Sequence, residues 1–92
     1  MTRRPPWELV AAPSAERTLA RLPEKAAAAI VESLVGPLTR DPVRVGHRLR
    51  GELAGLLAAR RGPYRVVYEL DEERRRILVL RIDHRADVYG PR

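Results

Sequence analysis

The sequence predicts an α+β domain, an antiparallel sheet in the order β-α-α-β-β-β with an N-terminal helical hairpin packed on one face. Three observations predict it. Ala27, Ile30, Val31, Leu34 and Leu38 recur at the spacing of a helix with one buried face. From Tyr64 to Leu70, the side chains Tyr64, Val66, Tyr68 and Leu70 alternate with Arg65, Val67 and Glu69, the period-two signature of a strand. Pro23, Gly62-Pro63 and the polar run Asp71-Glu72-Glu73-Arg74 are breaks that divide the chain into a helical pair and a three-strand meander.

The elements follow in order. Residues 1–6 read as a flexible tail, and the 92 residues as one domain with a single core. Residues 7–11 (Trp-Glu-Leu-Val-Ala) read as a short strand. Pro13 suits the first turn of a helix to about Leu22, in which Ala15, Leu19 and Leu22 make one apolar stripe. Pro23 ends that helix and can begin the second, which Gly36-Pro37 kinks or stops. Residues 40–52, with Pro42, Gly46 and Gly51, read as loop. Three strands follow, at 55–61, 64–70 and 75–83. In the last, Leu78, Leu80 and Ile82 are expected to alternate against Ile77, Val79 and Arg81. The helical hairpin should cover Tyr64, Val66 and Tyr68. The opposite face then carries Arg65 and, from the neighbouring strand, Leu56, Ala58 and Arg60.

Composition narrows the class of partner. Phe is absent and the aromatic residues are Trp7, Tyr64, Tyr68 and Tyr89, so the core must be built from Leu, Val, Ile and Ala. The chain has no cysteine, which excludes disulfides and thiolate chemistry and suits a reducing cytoplasm. No apolar run approaches the ~20 residues of a membrane span. The charged N-terminus lacks the apolar stretch of a signal peptide. The net charge is +6, and Lys25 is the only lysine. Within residues 40–65, Arg40, Arg44, Arg48, Arg50, Arg60, Arg61 and Arg65 face only Asp41 and Glu52. So concentrated a cationic stretch is the footprint of a polyanion-binding surface, RNA above all. Arginine suits that role because its planar fork bridges phosphate oxygens and stacks on bases.

The segment after the last strand holds His84, Arg85 and Tyr89. Strand order can bring it beside Arg60 and Arg65. His84 could move protons, Tyr89 could stack on a base, and the arginines could stabilise charge developing on a phosphorane. Such a set could cleave RNA through attack of a ribose 2′-hydroxyl on its own phosphate. Plainer readings stand beside it: a surface or capping His84, solvated strand arginines, and a Tyr89 that closes the core. Arg74, Arg75 and Arg76 beside Asp71, Glu72 and Glu73 read as a solvated turn with local ion pairs. The two histidines, His47 and His84, have no acidic cluster at metal-ligand spacing, and no Gly-rich phosphate loop occurs; no cofactor is expected.

Residues 51–71, with the run R-x-G-x-Y-R-V-x-Y from Arg60 to Tyr68, and the closing H-R-x-D-V-Y from His84 to Tyr89, resemble the RelE/ParE superfamily of bacterial type II toxins. Leu22-Pro23-Glu24 and Leu49-Arg50-Gly51 match as well, and the likeness spans about Trp7 to Tyr89. It implies a RelE-like twisted antiparallel sheet with a helical hairpin on one face. For the RelE-like branch it implies metal-independent cleavage of mRNA in the ribosomal A site, and neutralisation by a cognate antitoxin in complexes that are usually heterotetramers. Carried over by position, Arg65, Arg85 and Tyr89 are the implied catalytic residues, and Arg50, Arg60 and Arg61 the implied RNA contacts. Some RelE members carry lysines where this chain has Leu56 and Ala58, and one of those lysines is a candidate general base; His84 is the replacement candidate here. The missing lysines keep a second reading in play, a ParE-like toxin that inhibits DNA gyrase by binding. A third is a non-toxic module that binds only an antitoxin-like protein.

Overall fold

The computed structural model describes residues 5–85. Its elements are β1 (Glu8–Ala11), α1 (Pro13–Arg21), α2 (Glu24–Ser33), a π-helical turn (Leu34–Leu38), α3 (Pro42–Val45), β2 (His47–Arg48), a short 3-10 turn (Gly51–Leu53), β3 (Leu57–Arg61), β4 (Tyr64–Asp71) and β5 (Arg76–His84). The α+β architecture and the helical hairpin are those expected. The sheet has five strands, in the order β1-β5-β4-β3-β2. The additions, α3 and β2, lie in the segment expected to be loop. Asp41 caps α3 by accepting the Arg44 N–H, and β2 pairs with β3 for only two residues. The β2–β5 run is antiparallel, but β1 pairs parallel with β5, with Leu9 opposite Ile77 and Ala11 opposite Val79. The α1–α2 hairpin and the strands after it form the long crossover that a parallel neighbour requires.

Pro13 opens α1, and Pro23, which cannot extend that helix, sits where α2 begins. At the end of α2, Gly36 and Pro37 widen the last turn into π geometry, because Pro37 has no N–H to give to a regular turn. The Thr39 hydroxyl closes that turn by donating to the Val35 and Gly36 carbonyls. The helical stripe facing the sheet is narrower than expected. Ile30, Leu34 and Leu38, one i, i+4, i+8 row, are buried, whereas Val31 and Val35 are exposed.

The core lies between the helices and one face of the sheet, where Ile30, Leu34 and Leu38 join Leu57, Ala59, Val66, Tyr68, Ile77, Val79 and Ile82. Tyr68 is wholly buried, and its hydroxyl donates to the Pro42 carbonyl, so the sheet holds α3 through the core. Gly46 makes this possible: a Cβ there would lie 2.0 Å from the Tyr68 hydroxyl and 2.9 Å from the Ala58 carbonyl. Burial pushes the Tyr68 phenol up to about 12, against a smaller downward pull from the Arg48 charge.

A bulge reorders β5. Val67 pairs with Arg81 but Tyr68 pairs with Val79, so Leu80 is the extra residue. The single alternation expected for this strand is therefore corrected. Ile77, Val79 and Ile82 all face the helices, while Leu78, Arg81 and Asp83 face the other way. No helix among the described residues is long and apolar enough to cross a membrane.

Candidate functional site

The β3–β4 turn defines one end of the sheet. Gly62 adopts φ +59 there, a conformation that costs glycine little, and the turn sets Arg60 opposite Arg65. Asp83 of β5 follows Arg65 in the same row, so Arg60, Arg65 and Asp83 lie side by side on the face away from the helices. Arg81 joins this outer face through its pairing with Val67, and His47 through its pairing with Ala58. The central residues of the face, Ala58 and Val67, are buried, and Arg60 and Arg81 are exposed at its margins.

Electrostatics here are lopsided. The Asp83 Oδ2 lies 3.0 Å from the Arg81 Nε and 3.6 Å from an Arg65 terminal nitrogen. The Arg65 Nε is buried with no hydrogen-bond partner. Arg60 and Arg65 are like charges directly opposed across two strands, an arrangement that costs stability and is kept where something else needs it. Guanidiniums from three adjacent strands, with strands ~4.8 Å apart, form an array matched to phosphate oxygens.

The other residues singled out in the sequence fall around this face rather than on it. His84 pairs with Tyr64, on the helix side of the sheet, and meets the Tyr64 ring edge-on with centroids 5.1 Å apart. It shares an end of the sheet with Arg65 but not a face, so the expected gathering of His84 with Arg65 in one hollow does not form. Adjacent residues of a strand point to opposite sides, and Asp83 takes the place beside Arg65. Arg61 also turns to the helix side, where it borders a cavity of about 210 Å³ lined by Leu34, Pro37, Val45 and Val66. Arg85 is exposed at the same end, its backbone N–H donating to the Pro63 carbonyl at 2.7 Å. Arg50 is exposed just before the 3-10 turn that leads into β3, at the other end of that strand from Arg60. Tyr89 lies outside the described residues. Among the described residues, no group of three or more His, Asp or Glu side chains could hold a metal ion.

Residues 9–89 match the family described as the ParE toxin of type II toxin-antitoxin systems, parDE. The chain belongs to this family. Its relatives place it with the RelE type. It is 51% identical over 76 residues to Toxin RelG of Mycobacterium tuberculosis, covering 83% of this chain and 87% of RelG. It is 46% identical over 84 residues to Toxin RelE of the same organism, covering 91% of this chain and 87% of that one. The crystal structure of the RelBE2 toxin–antitoxin complex of M. tuberculosis contains a chain that superposes with a TM-score of 0.84 at 48% identity, covering 89% of this chain and 94% of that one. The isolated E. coli RelE toxin superposes at 0.70 with 20% identity, over 91% of this chain and 92% of that one, a likeness of fold alone.

Two residues of the toxin's arginine face were missed in the sequence. Arg81 sits in β5 where the expected alternation put it with the core residues Ile77 and Val79; its charge, inside an otherwise apolar strand, was the signal for an outer-face position. Asp83 stood at the end of the strand expected at 75–83, next to the closing motif, and was given no role. Its meaning depends on the bulge, which sets it in line with Arg65 and Arg60.

Proposed function

We propose that this toxin is a ribosome-dependent endoribonuclease that cleaves mRNA without a metal ion and is neutralised by a cognate antitoxin in the cytoplasm. One observation carries the reading: Arg60, Arg65 and Arg81, from three adjacent strands, share one end of the outer face, where Asp83 is the carboxylate in ion-pair contact with Arg65 and Arg81. Phosphoryl chemistry on RNA asks for this, since most of the work is to hold the phosphate and to stabilise the charge that builds on it. Arg65 is assigned to the scissile phosphate, and Arg85 to the leaving group or transition state. Arg60 lines the approach beside Arg65, and Arg50, at the other end of β3, and Arg61, on the helix side of the β3–β4 turn, are assigned to more distant stretches of RNA. Tyr89 is assigned to stacking near the cut. His84, at the same end of the sheet but on the helix side, is the candidate for proton transfer around that end. If so, His84→Gln should slow cleavage by ~10²-fold while ribosome binding persists; unchanged cleavage would strike His84 from the set.

The M. tuberculosis structure, whose chain is 48% identical to this one, is of a toxin–antitoxin complex, and this supports an antitoxin partner here. A basic face in a cell full of RNA needs a mask, and an acidic, amphipathic antitoxin segment provides one. The decisive experiment is translation of a defined mRNA in a cell-free extract with cut sites mapped by primer extension. New 5′ ends that appear only with ribosomes present support the reading; arrested translation over intact mRNA overturns it.

A second reading, inhibition of DNA gyrase, has one observation in its favour. Where RelE members carry strand lysines, this chain has a buried Ala58 and an apolar Leu56, so β3 has no amine there to act as a base. That reading requires loss of gyrase supercoiling activity at toxin concentrations that leave mRNA whole.

A further inference from the structure

We propose that Asp83 is an internal counter-ion of Arg65, held in the free toxin and exchanged for an RNA phosphate on binding, so that it sets how tightly the arginine face holds RNA. The inference rests on the RNA-cleaving reading above and adds a residue that tunes it.

The row Arg60, Arg65, Asp83 runs across β3, β4 and β5 as two cations followed by one anion. Without the carboxylate, two opposed guanidiniums and the nearby Arg81 would repel one another. Asp83 offsets that repulsion, but it does not use up Arg65. At 3.6 Å the contact is a Coulomb pairing too long for a hydrogen bond, and the Arg65 Nε remains buried and unpartnered. A buried donor with no acceptor is rare and marks a group with binding capacity to spare. A carboxylate that fixed the orientation of Arg65 would sit within hydrogen-bond reach of its fork.

The 3.0 Å contact with Arg81 makes exchange cheap. When a phosphate takes Arg65, the same Asp83 oxygen keeps Arg81 as a partner, so no carboxylate is stranded without a counter-charge. Both contacts involve partly exposed side chains, so each is weak and easily traded. The bulge at Leu80 is what allows this, because it turns Arg81 and Asp83 to the same side as Arg65.

The test is equilibrium binding of a short single-stranded RNA, 2′-O-methylated to prevent cleavage, to the full chain by fluorescence anisotropy across a salt series. Asp83→Asn and Asp83→Ala should each bind about two- to fivefold tighter at low salt, the worth of one partly exposed ion pair. The fall of log affinity with log salt should steepen in both. In an Arg65→Gln background the gain should vanish, whereas Asp71→Asn at the far end, which changes bulk charge equally, should give little gain. Unchanged binding in both Asp83 variants, or an equal gain with Asp71→Asn, overturns the inference. So does weaker binding, which would make Asp83 a positioning residue. If the unaltered toxin binds no free RNA at any salt, this inference is overturned, while the ribosome-dependent reading stands or falls on the cell-free cleavage assay.

Discussion

The two ends of the sheet use the same residue type in opposite ways. At the β4–β5 hairpin, each arginine has a structural partner, although the Arg75 Nε, like that of Arg65, is buried without an acceptor. Arg74 pairs with Asp71 at 3.0 Å and Arg76 with Glu8 at 2.8 Å. The Arg75 guanidinium lies 4.8 Å from the Trp7 ring centroid and donates to the Pro5 carbonyl, on a backbone at φ 50 that non-glycine residues rarely adopt. The Arg74–Asp71 pair is the local ion pair expected of this turn, and the contacts of Arg75 and Arg76 go beyond it by holding the start of β1 against β5. At the β3–β4 end, Arg60 and Arg65 oppose each other and a single aspartate is shared between Arg65 and Arg81. Paired arginines build the fold; arginines left short of partners have capacity for a ligand. Charge count alone cannot separate the two, because what differs is the number of acceptors within reach.

Substitutions can break that division. The largest effect is expected for Arg65→Ala, which should cut mRNA cleavage by ~10²-fold while changing unfolding free energy by less than about 1 kcal/mol. Primer extension and chemical denaturation on one preparation would read both. A protein that loses its fold along with its activity would erase the distinction between the ends.

Between the ends, Tyr68 should matter for stability and not for cleavage. Its folded value of about 12 exceeds the ordinary 10.0, so unfolding releases the proton more readily than the native state does. The stability it contributes is whole below pH 10.0 and drains away as pH rises to about 12, by roughly 2–3 kcal/mol. Tyr68→Phe should remove that alkaline slope, and should cost about 1–2 kcal/mol at neutral pH by leaving the Pro42 carbonyl without its donor. Denaturant titrations from pH 7 to pH 12 measure it.

Arg75→Ala should lower stability by about 1 kcal/mol through loss of the Trp7 contact, with cleavage per folded molecule unchanged. If cleavage fell as far as in Arg65→Ala, the hairpin end would belong to the functional surface. The smallest effect is expected for Asp71→Asn. Hydrogen bonds from Arg74 hold this exposed carboxyl below the ordinary 3.8, so its contribution is present above that pH and fades only in acid. At neutral pH the melting temperature should not measurably move.

Much of this was readable in advance. The α2 stripe and the β4 alternation were plain because each sets apolar residues against polar ones at a fixed period. The same alternation set Arg65 on the face away from the helices. Reading failed where that contrast vanished. Ile77-Leu78-Val79-Leu80 is apolar throughout, so nothing in it marks which residue is the bulge, and Arg81 was grouped with Ile77 and Val79, from which the bulge separates it. β2 is only two residues long, too short for any period, and α3 is a single capped turn. His84 looked like a neighbour of Arg65 because strand order brings the end of the last strand back beside it, but in a strand a shift of one residue means the opposite face.

By itself, then, the sequence determined the order of the two long helices and the four longer strands, most of the apolar core and the excess of arginine, since these depend on composition and local periodicity. Tertiary structure alone decided that β1 lies parallel to β5, that Leu80 bulges, and that Arg60, Arg65, Arg81 and Asp83 share a face. Those outcomes depend on pairing between residues far apart in the chain, where one inserted residue in one strand reassigns the side of every side chain beyond it.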